Sequence, residues 1–374
     1  MTMKKLLVTL LLACAAFSVS AQTWKVSDPE ATPEAKQLFE RLQKLQKRGI
    51  MFGHQDDLIT GSTWRAEKGR SDTREAVGDY PAVVGFELGE IELGGPHSLD
   101  SNFFADIVDR AKWFYAQDGV ITVSWHCVNP ISIQWPGIKQ PNGAGSAWEV
   151  AFLSPRGENA VSSVLPGGKN HAMFTSWLDR LAAFFNTWRT EDGKLIPFLF
   201  RPYHEHSGSF FWWGRQRCYD EEYAELFRFT VDYLRGKGLH NILYMYNTDK
   251  VYSDEEYLGG YPGDAYCDFL SIDWYGSGEE FNQHIEKALT AVSAIAERKQ
   301  KLFALSECGP ISVDLQRILA NHECSYVLIW RNAPRKLRPG QTPRPQVGPT
   351  QADLLKTMKQ NKKYMFLKDI QKVK

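Results

Sequence analysis

The chain has 374 residues, with 44 Lys plus Arg against 44 Asp plus Glu and a formal net charge of +0. That balance excludes the basic footprint of a nucleic-acid binder and gives no attraction to an anionic membrane surface, so neither partner is expected. A neutral ligand fits it, and the 12 Trp and 15 Tyr supply flat apolar faces with polar tips, suited equally to a core or to a sugar-binding cleft.

In chain order, the N-terminus reads as a signal peptide over residues 1–21. Lys4 and Lys5 form the charged end, 6–17 the apolar stretch, and Val19-Ser20-Ala21 a small-residue cleavage site before Gln22. The apolar stretch is too short to span a bilayer as a stable helix. Leu11-Leu12-Ala13-Cys14 resembles a lipoprotein processing site, so anchoring at Cys14 is the alternative. In both cases the mature chain, 22–374 and read as one domain, leaves the cytoplasm for the periplasm or the medium. Its five cysteines, Cys127, Cys218, Cys267, Cys308 and Cys324, are odd in number and imply no disulfide framework. No CxxC pair is present, which argues against structural zinc, and the cysteines read as small buried hydrophobes.

A helix is expected over 32–48, with Pro33 near its start, Leu38, Leu42 and Leu45 at helical spacing, and Gly49 as its stop. Eight short apolar runs follow, at 50–53, 82–88, 120–126, 196–204, 241–247, 269–275, 302–307 and 325–330. Amphipathic helical stretches lie among them at 103–117, 172–190, 221–237, 279–298 and 312–321. Strands alternating with helices indicate a parallel sheet, and near-continuous apolar runs indicate strands buried on both faces. Eight such units favour an α/β fold closed as a (β/α)8 TIM barrel. An open doubly wound sheet is the alternative, disfavoured because no Gly-rich phosphate loop follows the first strand. The connection 129–170 is long, rich in Gly, Pro and Ser, and carries Trp135 and Trp148. In a barrel it follows strand three on the face where active sites are built, and loops of that length are usually functional or disordered. A second Pro-rich connection, 335–349, follows strand eight.

Four predicted strands end in polar clusters. The third ends Ser124-Trp125-His126-Cys127-Val128-Asn129-Pro130, and the fourth runs on through Arg201-Pro202-Tyr203-His204-Glu205-His206-Ser207-Gly208. The sixth ends Ile272-Asp273-Trp274-Tyr275-Gly276, and the seventh Leu305-Ser306-Glu307-Cys308-Gly309. A closed barrel brings these ends to one rim, where Glu205 and Glu307 face each other across the mouth. Glycosidic cleavage needs such a pair: one carboxylic acid to protonate the leaving oxygen, one carboxylate to attack the anomeric carbon or activate water. Their surroundings must differ, because the acid needs a raised pKa. Tyr275 is placed to hydrogen-bond Glu307. A single Glu at a strand end is more often an ion-pair partner than a catalyst; two on strands four and seven reverse that weighting. His204 and His206 alternate as metal ligands would, yet the helical His spacing of zinc hydrolases is missing, and no metal or cofactor is expected. His54 and His126 read equally as cleft-lining or as satisfied rim histidines. The run Phe210-Phe211-Trp212-Trp213-Gly214 is too aromatic for a solvated loop, and either packs under the rim or offers a ring to a sugar.

Taken together, these motifs resemble glycoside hydrolase family 26. The resemblance spans Phe52-Gly53-His54-Gln55 to Trp330-Arg331-Asn332, and is most specific in Arg201-Pro-Tyr-His-Glu205 with its Phe-Trp-Trp run and in Ser306-Glu307-Cys-Gly309. It implies Glu205 as acid/base and Glu307 as nucleophile of a retaining enzyme. It also implies His126, His204 and Trp330 as sugar-contacting residues and Tyr275 as the group that holds the nucleophile. Phe210 falls where many members carry Trp, which weakens or alters stacking there, and Trp213 is a further candidate in the same run. The family's commonest activity is endo-β-1,4-mannanase, with mixed-linkage β-glucan and β-1,3-xylan as minority substrates. β-Mannan or its oligosaccharides are therefore the expected partner, for a monomer with no obligate membrane contact. Asp273 is the candidate to recognise the axial 2-hydroxyl of mannose. A non-catalytic binding protein on the same barrel is the other class, and the presence of both Glu residues argues against it.

Overall fold

A computed structural model describes residues 24–134, 159–332 and 352–373. The expected signal peptide, Cys14, Trp135, Trp148 and the 335–349 connection lie outside the described residues. Within them the eight expected strands form and are entirely buried: β1 Ile50–Gln55, β2 Val83–Glu87, β3 Val120–Trp125, β4 Phe198–Pro202, β5 Ile242–Thr248, β6 Phe269–Trp274, β7 Leu302–Cys308 and β8 Tyr326–Ile329. All pair in parallel with their sequence neighbours, and β1 pairs with both β2 and β8, closing the barrel. Burial on both faces follows from the architecture, since one face looks into the barrel and the other under the helices.

The helices begin and end where local chemistry dictates. Pro33–Arg48 starts with Thr32 Oγ1 accepting the Ala35 N–H at 3.2 Å and Pro33 in the first turn, where its missing N–H costs nothing. Helices Phe104–Ala116, His171–Phe185, Asp220–Gly236, Glu279–Arg298 and Val313–Ala320 occupy the expected stretches. Much of the aromatic content packs the layer between barrel and helices. Phe198 lies between Phe185 and Trp188, with ring centroids 4.7 and 5.0 Å away.

Two departures from the sequence pattern matter. A ninth short strand, β9 Tyr364–Met365, pairs with Ile50 and Met51, the first two residues of β1, which lie before its register with β2. It fills a gap at the barrel's N-terminal end, where a Cβ on Gly49 would meet the Lys363 carbonyl oxygen at 2.3 Å. A two-residue strand carries no readable periodicity. Strand four also ends at Pro202, short of the expected 204, because the chain turns left-handed at Tyr203 and Glu205, with φ of 50° and 55°.

Candidate active site

The polar strand ends converge on one rim. Arg201, on β4, is buried between two carboxylates: it contacts Asp273 at the end of β6 and donates to Glu307 Oε2 on β7 at 2.7 Å. Burial opposes the Arg201 charge, but Asp273 and Glu307 more than restore it, and its pKa lies above the ordinary arginine value. Tyr275 donates its phenolic O–H to Glu307 Oε1 at 2.6 Å, so both oxygens of that carboxylate are held. The register between β6 and β7 shifts here: Ile272 pairs with Leu305 but Asp273 with Glu307, leaving Ser306 as the extra residue. Bulges beside active sites re-aim side chains, and Ser306 Oγ secures this one by donating to Asp273 Oδ1 at 2.7 Å.

Glu205 sits opposite, 5% exposed, and its surroundings differ in kind. Burial raises its pKa well above the usual carboxylic range, reinforced by the charges of Glu307, Asp273 and Asp249, with Arg201 opposing. The left-handed conformation of a non-glycine residue costs on the order of 1–3 kcal/mol and persists only where neighbours over-determine it. Three carbonyls of this turn are each pinned. Tyr223 Oη donates to Tyr203 O at 2.9 Å, Trp213 Nε1 to His204 O at 2.7 Å, and the Gly208 N–H to Glu205 O at 2.9 Å. The Glu205 N–H donates to Asn247 Oδ1 at 2.7 Å, while Asn247 Nδ2 lies 2.9 Å from Asp273 Oδ1 and from Ser306 Oγ. Asn247 thereby ties the Glu205 turn to the Glu307 cluster. One oxygen from each of Glu205, Asp273 and Glu307 lies within 4.8 Å of the others.

That trio has the donor types of a metal site. The Asp273 and Glu307 oxygens, however, are taken by Arg201, Tyr275, Asn247 and Ser306, so those two carboxylates are held in a protein network rather than in a cation cage. His204 and His206 do not form a ligand pair either. His206 stacks on Tyr223 at 3.5 Å between centroids and bonds to Trp213 O, whereas His204 faces His126.

His126 and His204 form a hydrogen-bonded pair at the rim. Glu87, ending β2, accepts from the His126 N–H at 2.8 Å and binds His126 Nδ1 at 2.8 Å. Burial disfavours both charges, yet their attraction prevails, drawing Glu87 down to about 2 and raising His126. Burial, then the charges of His126 and Arg201, press His204 well below its ordinary value, so it is neutral. His126 Nε2 and His204 Nε2 share one hydrogen bond at 3.1 Å, and His204 Nδ1 is buried without a protein hydrogen-bond partner.

The remaining expected residues divide. Trp330 is half-buried just past β8, with its ring 6.0 Å from His126, and Phe210 is half-buried against Phe211. Trp213 and Asp273 depart from the expectation that they meet the sugar. Trp213 is 0% exposed, stacked on Phe211 at 4.5 Å, and spends its N–H on the His204 carbonyl. Asp273 is 0% exposed with both oxygens engaged by Arg201, Asn247 and Ser306. Both support the site from behind. His54, likewise buried, bonds to Asp57 at 2.6 Å, and the five cysteines among the described residues are free and buried. Sequence reasoning assigned no role to Arg201, Glu87 or Asn247. Each is a polar residue within or at the end of an otherwise apolar strand, and that is the signal that marks them.

A buried acid opposite a held carboxylate, on the C-terminal rim of an eight-stranded barrel, is the constellation of a glycoside hydrolase. The family model for glycosyl hydrolase family 26 matches residues 27–336, and the chain belongs to that family. It is similar to the solved structure of a GH26 β-mannanase from Bacteroides ovatus, with 36% identity, TM-score 0.81 and coverage of 92% of this chain and 98% of that one. An endo-β-1,4-mannanase structure from Cellulomonas fimi matches with 29% identity and TM-score 0.77, over 93% of this chain and 79% of that one. A mannan endo-1,4-β-mannosidase from Bifidobacterium adolescentis is 33% identical over 300 residues, 76% of this chain; the match spans only 28% of that relative's length.

Proposed function

We propose that the protein is a retaining endo-β-1,4-mannanase that cleaves internal bonds of mannan, galactomannan or glucomannan. The observation that carries this reading is the asymmetry of the two carboxyls. Glu205 is buried and its pKa is raised well above the usual carboxylic range, as a proton donor requires, while Glu307 is gripped by Arg201 and Tyr275 in the place of the nucleophile. Their close spacing favours direct attack over an intervening water, since inverting pairs stand roughly 6.5–9.5 Å apart. In the first step Glu307 attacks the anomeric carbon as Glu205 protonates the departing oxygen. In the second, Glu205, now ionised, takes a proton from water, which displaces Glu307 from the glycosyl-enzyme. The neutral His204, beside His126 and Trp330, contacts the sugar at the cleavage point. Mannan as substrate is supported by the activities named for the similar proteins.

Wild type and Glu307→Ala protein, incubated separately with mannan, mixed-linkage β-glucan and β-1,3-xylan, test the reading. Short manno-oligosaccharides released with retained anomeric configuration by wild type alone are expected. Products from glucan or xylan instead would keep the chemistry and replace the substrate; none from any polymer would leave a binding protein. Residues 1–21 are read as an export signal, so the enzyme works outside the cytoplasm, as a monomer and without a cofactor. A mature N-terminus at Gln22 is expected, and a lipidated Cys14 would replace secretion with anchoring.

A further inference from the structure

The loop after β2 brings two buried carboxylates to the same bend at the end of β3. Glu87 closes β2 and holds the His126 N–H and ring. Glu92 follows in a single helical turn, Ile91–Leu93, bounded by Glu90 and Gly94 in left-handed geometry with φ of 74° and 76°. Arg180, from helix His171–Phe185, donates to the Glu92 carbonyl and anchors the backbone of that turn, while the carboxylate goes to β3.

Glu92 is 0% exposed. Its Oε2 accepts the Trp125 Nε1–H at 2.8 Å, and its Oε1 accepts the Val128 N–H at 2.6 Å. Between those two donors the chain makes a three-residue turn centred on His126, closed by the Cys127 N–H donating to the Trp125 carbonyl at 2.9 Å. One carboxylate therefore braces both flanks of the turn that carries His126. Glu87 fixes the imidazole, and Glu92 fixes the bend behind it. The braced segment also supports the acid/base turn. Trp125 packs on Tyr203 with ring centroids 6.0 Å apart, and the Cys127 carbonyl accepts from Trp212 Nε1 at 3.0 Å. Burial pushes the Glu92 carboxyl up to about 7, against the bonds from Trp125 and Val128. Burying a carboxylate against neutral donors is costly, and what it secures here is the pair of bonds across the His126 turn.

We propose that Glu92 is a positioning residue for the sugar at the cleavage point, holding the His126 turn so that His126 and its partner His204 meet the ring in one orientation. The functional half of this inference rests on the proposed reading of those histidines as sugar contacts; the brace does not.

The test is a cycle of Glu92→Gln and His126→Ala, read as kcat/KM on the polysaccharide that wild type cleaves. Gln keeps the shape of the side chain but sets an amide nitrogen against one of the two donors. Expected is about a tenfold loss from Glu92→Gln alone and less than about a twofold further loss once His126 is replaced, because a residue that acts through His126 then has nothing left to position. Trp125→Phe, which removes the indole N–H and leaves Glu92, is expected to give the same pattern at about threefold, and keeps the test decisive if Glu92→Gln folds poorly. Equal losses in both backgrounds, or none, overturn the inference. NMR of the imidazole nitrogens in ligand-free protein needs no substrate. Glu92→Gln is expected to shift or broaden the His126 signals and to leave those of His54, held by Asp57, in place. Unmoved His126 signals, or His54 signals that move with them, overturn the brace even in an active enzyme. A wild type that cleaves no polysaccharide overturns the functional reading and leaves a moved His126 signal standing.

Discussion

At the end of β4 the chain leaves extended geometry to deliver Glu205, whereas β7 carries Glu307 within the strand itself. The two residues are almost equally buried, at 5% and 6% exposure, so depth does not separate their chemistry. Partners do. Glu307 has a guanidinium on one oxygen and a phenol on the other, while the charges that act on Glu205 are mainly carboxylates. Burial without a counter-charge makes an acid, and burial with one makes a carboxylate.

The largest test of this contrast removes each side chain. Glu307→Ala is expected to lower turnover by about four orders of magnitude or more on every substrate. Glu205→Ala is expected to cost about 10²–10⁴-fold on polysaccharide while sparing the glycosylation step of aryl glycosides with good leaving groups, which need little proton assistance. Burst kinetics on an activated aryl substrate separate the two; equal losses for both variants there would end the assignment.

Tyr275→Phe probes one half of the Glu307 grip. The lost bond to a charged acceptor is worth about 1.5–3 kcal/mol, so kcat/KM is expected to fall about tenfold to a hundredfold. An unchanged rate would leave Arg201 alone holding the nucleophile. The smallest effect sharpens the Glu205 side. Glu205 is competent while protonated, so activity is lost as pH rises through its elevated pKa, and the alkaline limb of kcat/KM reports it. The Asp249 charge helps raise that pKa; Asp249→Asn is expected to move the alkaline limb to lower pH with little change in the plateau.

Local pattern and tertiary contact contributed differently. The alternation of apolar runs with amphipathic helices placed all eight barrel strands and the main helices within a few residues, because hydrophobic period and capping residues act over one or two turns of chain. Barrel closure then put Glu205, Glu307, His126, His204, Tyr275 and Trp330 on one rim, as the polar strand ends implied. The fate of each side chain was not local. Trp213 and Asp273 sit in motifs as prominent as those of Trp330 and Tyr275, yet the fold buries both and spends their polar atoms on the protein.

What the sequence by itself determined was the barrel and the pair of glutamates. What only the tertiary structure decided was the charge and aim of each group at the rim. Arg201 reaches Glu307 across 106 residues, Asn247 reaches Glu205 across 42, and Glu87 reaches His126 across 39. Burial and opposing charge set a pKa through neighbours in space, and no period or motif in the chain encodes which neighbours those will be.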